Sequence, residues 1–289
     1  MKYIAILVGN RFEHGLSEST VAQAREAFAG GEANWLAPGL AAEFAVPAPA
    51  STTAFARAHS IDAAILPVEH RRKRLLVADM DSTIIGCECI DEIADFAGLK
   101  AEISAVTERA MRGELVFEDA LRQRVALLKG FPVEKLARVY AERVRLNPGA
   151  ATLVKTMAQH GAITALVSGG FTFFTSRVAK DAGFALNFAN VLLDDGAHLS
   201  GKVQEPILGR EAKRETLISL AAKGAIPLTE TMALGDGAND LAMVETAGLG
   251  IAYKAKPVLE EKAAAAIRYS DLTAALYFQG YRAAEFAAA

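Results

Sequence analysis

The sequence predicts an α/β protein built on a doubly wound, mostly parallel sheet, with an inserted helical cap and a small N-terminal α/β domain. Three observations carry that prediction. From Leu75 onward, short apolar runs of the kind that form strands buried on both faces recur between amphipathic helical stretches. Two of those runs end abruptly in acids, at Asp79 and at Asp236, which is where open α/β sheets bind ligands. Residues from about Cys89 to Arg145 break the alternation, with several helical periods and no convincing strand.

Taken in order, Tyr3 to Val8 reads as a strand and Ser17 to Phe28 as a helix opening on Ser-Glu-Ser-Thr. Gly30-Gly31 then supplies a stop suited to a helix C-terminus. A second strand near Ala42 to Val46 precedes Pro47 and Pro49, a short helix spans Thr52 to His59, and a strand follows at Ala63 to Val68. The charged run Glu69 to Arg74 is the expected connector, so residues 1–72 form one domain and 73–289 another. In the second, strands are expected at Arg74 to Ala78, Ala162 to Ser168, Thr231 to Gly235 and Gly248 to Ala252. Helices are expected at Gly149 to Gln159, Thr172 to Ala182, Glu211 to Lys223 and Asn239 to Ala247. The helical insertion covers about 89–145, where Phe117, Ala120, Leu121, Arg124, Val125 and Leu128 share a side. Weak alternation around Asp194-Asp195-Gly196 suggests a β-hairpin at about 188–203.

Composition narrows the function classes. At 289 residues and 52% apolar, the chain has length for two domains and material for a substantial core. A net charge of -3 and a pI near 6.0 give no basic field for nucleic acid, and the basic run His70 to Arg74 is short enough to be a solvated linker. No apolar stretch approaches the roughly 18–20 residues that span a bilayer, and Met1 to Gly9 reads as a first strand rather than a signal peptide. Cys87 and Cys89 form no metal framework with a nearby His, so a reducing cytoplasm is the expected location.

The chemistry sits in four places. In Leu75-Leu-Val-Ala-Asp79-Met-Asp81-Ser-Thr-Ile84, two carboxylates at i and i+2 project to one side at a strand end. Such close like charges call for a cation, and oxygen ligands point to Mg²⁺; the same residues also read as a strand-end turn with a capping Ser. Ser168-Gly169-Gly170 places a hydroxyl and approachable main-chain N–H groups before a helix N-terminus, where an oxyanion or phosphate fits, as would a plain turn. Lys213 opens a later helix and is ordinary alone. Gly235-Asp236-Gly237-Ala238-Asn239-Asp240 offers a further carboxylate at a strand end; Asp240 either adds another or braces the turn.

In combination and in this order, these stretches resemble the haloacid dehalogenase superfamily of aspartate-nucleophile phosphatases. Asp79-Met-Asp-Ser-Thr-Ile, Glu88-Cys-Ile-Asp-Glu-Ile, Val167-Ser-Gly-Gly-Phe and Gly235-Asp-Gly-Ala-Asn-Asp resemble, within it, the phosphoserine phosphatases, over roughly residues 73–285. The resemblance implies Mg²⁺-dependent hydrolysis of O-phosphoserine, the last step of serine biosynthesis. It puts the nucleophile on Asp79, the acid and base on Asp81, and the metal between Asp79, the Asp81 carbonyl and Asp236. Ser168, Gly169 and Lys213 would bind phosphoryl oxygens, with Asn239 close by. Glu88 would take the substrate ammonium and Arg124 its carboxylate, while Met111 and Phe117 would line the cap. A phosphotransferase passing the group to an acceptor such as homoserine, or a non-catalytic phosphometabolite-binding regulator, would share many of these residues. The first 72 residues admit a reduced ACT-like amino-acid-binding domain or a plain packing domain, and subunit number stays open, a homodimer being compatible.

Overall fold

The computed structural model describes residues 2–288. Its centre is a six-stranded parallel sheet made of β5 (Leu75–Ala78), β6 (Ile163–Phe171), β7 (Leu186–Asn190), β10 (Thr231–Gly235), β11 (Leu249–Tyr253) and β12 (Ala265–Ile267), ordered β12-β11-β10-β5-β6-β7. The chain builds outward from β5 through β6 to β7, then returns to β5's other side and builds outward through β10. That reversal opens a crevice at the carboxyl ends of β5, β6 and β10. Register delivers the chemistry there: Ala78 lies opposite both Leu166 and Leu234, and the Asp79 N–H donates to the Leu234 carbonyl (2.9 Å).

All four residues of β5 are buried, and they alternate between two cores. Leu75 and Val77 meet Ala165, Val167 and Leu217; Leu76 and Ala78 meet Leu153, Leu166 and Leu276. The first core is roofed by α9 (Arg210–Lys223) and α10 (Leu241–Thr246). The second is covered by α7 (Ala150–Gln159), α8 (Thr172–Ala182) and α12 (Ala274–Phe278). A strand buried on both faces has no polar alternation to show, which is why its sequence reads as an unbroken apolar run.

The N-terminal residues form an antiparallel sheet of order β2-β3-β1-β4, from β1 (Tyr3–Val8), β2 (Asn34–Ala37), β3 (Ala41–Val46) and β4 (Asp62–Pro67). With α1 (Glu18–Ala27) and α2 (Thr53–His59) the order is βαββαβ. Ala5 and Leu7 face these helices, whereas Ile6 and Val8 face the core shared with Leu276 and Tyr277. The strand β2 has no clear signal in the sequence, since its four residues begin with Asn34 and carry little alternation.

Between β5 and α7 stand the four helices of the insertion: α3 (Cys89–Ala97), α4 (Lys100–Met111), α5 (Phe117–Leu127) and α6 (Val133–Arg143). The hairpin is β8 (Leu192–Asp194) with β9 (Leu199–Val203); Phe188 to Asn190, expected in it, instead belong to β7 at the sheet edge, because Phe188 pairs with Val167. The hairpin docks on the cap through main-chain bonds: Gly130 donates to Leu199 (2.8 Å), Leu199 to Phe131 (2.9 Å) and Val133 to Ala197 (2.9 Å).

Candidate active site

After β5 the backbone turns sharply through one irregular helical turn, Met80–Ile84, in which Ser82 takes φ 56°. The turn aims Asp79 and Asp81 at different partners around one space. Asp79 Oδ1 accepts from the Met80 N–H (2.8 Å) and lies 2.7 Å from Lys213 Nζ. Asp81 Oδ1 accepts from the Cys89 N–H (2.9 Å), and its Oδ2 accepts from Ser168 Oγ (3.1 Å). The first helix of the cap therefore hangs on the second carboxylate of the motif.

Ser168-Gly169-Gly170 lies within β6 rather than in a strand-to-helix turn, at a shift of register between Val167 and Phe171. The bulge lets the Gly170 N–H donate to Ser168 Oγ (2.9 Å). At Gly169 a Cβ would come 2.9 Å from the Phe117 ring, so glycine is what allows the cap to close down over this loop. Asn190, which the sequence reading did not single out, holds the loop: its Nδ2 donates to the Gly169 carbonyl (2.9 Å) and its Oδ1 accepts from the Leu208 N–H (2.7 Å). Its burial at the end of an edge strand is a property of the fold and left no signal in the sequence.

The third acidic segment resolves the alternatives for Asp240. Its Oδ1 lies 2.6 Å from Lys213 Nζ, and its Oδ2 accepts from the N–H groups of Asp236 (3.1 Å) and Gly237 (3.2 Å). Asp240 is thus a buried brace that fixes the turn and orients the lysine, and Gly235 is the residue that admits it, since a Cβ there would stand 2.4 Å from the Asp240 carboxyl carbon. The helix expected from Asn239 starts two residues later, at Leu241, because the brace occupies the turn.

Carboxylate oxygens of Asp79, Asp236 and Asp240 lie within 4.8 Å of one another. Burial pushes Asp79 upward from the usual carboxylate range and Asp240 adds to this, while Lys213 pulls the other way. Burial likewise raises Asp81 and Asp236. Lys213, although burial works against its charge, is held above the ordinary lysine range by Asp240 and Asp79, so it stays an ammonium. One ammonium among this many carboxylates leaves a deficit of positive charge, and an all-oxygen set suits a hard divalent cation.

Above these groups opens a cavity of about 620 Å³. Asp79, Asp81, Glu88, Phe117, Arg124, Ser168, Gly169, Asp236 and Asn239 all border it, as the sequence reading expected them to share a site. Lys213 lies beneath its floor, reached through Asp79. Met111 ends α4, and its side chain lies outside the described residues. Glu88 Oε1 accepts from Ser82 Oγ (2.7 Å) and its carboxyl, raised by burial and then by Asp81, reaches about 7. Among the described residues, Arg124 keeps only an Nε bond to the Ala120 carbonyl (3.3 Å) on its own helix, which leaves its terminal nitrogens open to a ligand. Asp91, Arg210 and Lys256 also border the cavity; the sequence assigns none of them a role, although Asp91 falls within the Glu88-Cys-Ile-Asp-Glu-Ile stretch.

Comparison with known proteins agrees with this geometry. A phosphoserine phosphatase of Polaromonas sp. strain JS666 is 48% identical over 204 residues, 69% of this chain and 86% of that protein. The crystal structure of a HAD family hydrolase from Salmonella enterica serovar Typhi superposes with a TM-score of 0.84 at 32% identity, covering 96% of this chain and 97% of that one. That of a probable phosphoserine phosphatase from Vibrio cholerae gives 0.80 at 30% identity, covering 98% and 88%. The family model for haloacid dehalogenase-like hydrolases matches residues 76–245, the stretch that carries all three acidic or glycine-rich segments and the cap, and the chain belongs to that family.

Proposed function

We propose that this protein is an Mg²⁺-dependent enzyme that hydrolyses O-phosphoserine to serine and phosphate, the last step of serine biosynthesis, in the cytoplasm. The observation that carries the reading is the meeting of Asp79 and Asp81 at one sheet end, one on Lys213 and the other on Ser168. Phosphate monoesters hydrolyse extremely slowly in water, so the site must supply a placed nucleophile, charge neutralisation and a proton for the leaving alkoxide. Asp79 attacks phosphorus in line and becomes an aspartyl-phosphate. Asp81, its pKa raised by burial, holds the proton that the departing serine oxygen takes, and as a carboxylate then deprotonates the water that cleaves the intermediate.

Lys213, Ser168 Oγ and the Gly169 N–H hold the phosphoryl oxygens, with Asn239 beside them. The carboxylates of Asp79 and Asp236 and the Asp81 carbonyl would hold the magnesium, which when bound neutralises charge on the phosphoryl group. Glu88 receives the substrate ammonium and Arg124 its carboxylate in a bidentate grip. Phe117, seated over Gly169, gives the cap an apolar lining that keeps stray water from the acyl phosphate. Residues 73–289 are the hydrolase in this reading, and residues 1–72, with their βαββαβ order, are a reduced ACT-like domain or a plain packing domain.

The Asp79→Asn variant is expected to fold and to release no phosphate from O-phosphoserine, a result that phosphate-release assays with and without chelator read directly. Turnover by that variant would remove Asp79 as nucleophile. Arg124→Ala is expected to lower kcat/KM for O-phosphoserine by about a hundredfold, the cost of losing one partner of a desolvated charge pair, and to change an aryl phosphate far less. Equal losses on the two substrates would take the substrate assignment away.

A further inference from the structure

The cavity has more positive charge at its mouth than the phosphoryl chemistry uses. Besides Arg124 from the cap, Arg210 and Lys256 border it from the core side, both exposed. Among the described residues, neither side chain forms a salt bridge or donates a hydrogen bond, unlike the neighbouring surface arginine Arg122, which is tied to Asp119 and Glu205.

Their backbones are fixed although their side chains are free. Arg210 opens α9 three residues ahead of Lys213, a spacing that puts both on one helix face with Arg210 a turn nearer solvent. Gly209 before it lies against the cap, where a Cβ would stand 2.5 Å from Glu118 Oε1, so Arg210 stands at the seam between cap and core. Lys256 precedes α11 (Pro257–Glu260), and its N–H donates to the Asp236 carbonyl (2.9 Å), which anchors it beside the acidic floor.

The need for such a pair follows from the rest of the lining. Asp79, Asp81, Glu88, Asp91 and Asp236 all border the cavity, and the whole chain carries a net charge of -3. A doubly negative phosphoryl group coming from solvent meets this acidic wall before it meets Lys213, which is buried. We infer that Arg210 and Lys256 form an electrostatic entrance: they capture the phosphoryl group of an incoming phosphomonoester at the mouth and hand it down to Lys213 and Ser168, without touching phosphorus during the reaction. They are positioning residues, and the inference rests on the phosphatase reading above.

The test is steady-state kinetics of the magnesium-loaded full chain on O-phosphoserine. Wild type, Arg210→Ala, Lys256→Ala, the double variant and Arg210→Lys are compared at about 0.01 M and about 1 M salt, between which the screening length falls from about 30 Å to about 3 Å. Each alanine variant is expected to raise KM about three- to tenfold at low salt with kcat kept, and the double variant more, with the difference closing at high salt. Arg210→Lys should keep most of the low KM, and the inhibition constant for inorganic phosphate should rise in parallel with KM. A double variant with unchanged KM and unchanged salt slope would overturn the entrance, as would a fall in kcat with KM unmoved. Wild-type turnover in the same series tests the phosphatase reading separately: no release by wild type sinks that reading, while release by wild type alongside a silent double variant sinks only the entrance.

Discussion

Glu88 shows how one side chain can be useful because its surroundings are unfavourable. Burial and the carboxylates of Asp81 and Asp236 push its carboxyl up to about 7, with the Ser82 hydroxyl pulling back. A raised acid is charged above its pKa and neutral below it, so the partner proposed for the substrate ammonium is lost as pH falls through about 7. The KM for O-phosphoserine is therefore expected to climb on the acid side of neutrality, while that for an aryl phosphate, which has no ammonium, follows only the ionisation of its own phosphate. In Glu88→Gln the difference between the two profiles should vanish, with KM for O-phosphoserine high throughout; a difference that persists would show that another group binds the ammonium. At this scale the sequence was informative about residue types and silent about pairings. It displayed Asp236 and Asp240 as two acids at a strand end, yet only the fold shows that the second is consumed by Lys213 and two main-chain N–H groups.

At the scale of elements, the strands that carry the chemistry were legible because β5 and β10 are buried on both faces and end abruptly in acids. The cap was legible as helices, from the spacing of Ala120, Leu121 and Val125. Its attachment was not, because main-chain hydrogen bonds leave no trace in side-chain periodicity. Three such bonds join the turn between α5 and α6 to the β8–β9 hairpin, and Gly201 is the point of closest approach, with φ 78° and a would-be Cβ 2.9 Å from Lys129 Cβ. A substitution at Gly201 has both a left-handed backbone and this contact against it. Gly201→Ala is expected to destabilise the protein by about 1–2 kcal/mol from the backbone alone, with more from the contact. Urea denaturation checks the loss, and an unchanged midpoint would mean that the hairpin is not a working support of the cap.

On the scale of the whole molecule, the N-terminal sheet is joined to the catalytic sheet by more than a linker. The face of β1 bearing Ile6 and Val8 shares a core with Leu276 and Tyr277, and a buried carboxylate locks the contact. Asp62, at the start of β4, accepts from the N–H groups of Arg268 (2.7 Å), Tyr269 (3.2 Å) and Ser270 (2.8 Å), just after β12. Ser270 Oγ returns a bond to the Gly9 carbonyl (3.1 Å), and Arg11 lies 2.9 Å from Asp271. None of this is legible from the sequence, since Asp62 there is one acid before an apolar run and its partners lie some two hundred residues away. Taking the carboxylate away strands three main-chain donors, each worth about 1–3 kcal/mol when left buried without a partner. Asp62→Ala is therefore expected to cost about 3 kcal/mol or more in urea denaturation. Because Asp62 lies on the N-terminal sheet and does not border the cavity, the native fraction should keep its kcat and KM. An unchanged stability would show that the two sheets are held by their apolar faces alone. Lost activity in a still-folded Asp62→Ala protein would instead mean that the N-terminal sheet acts on the catalytic site through this contact.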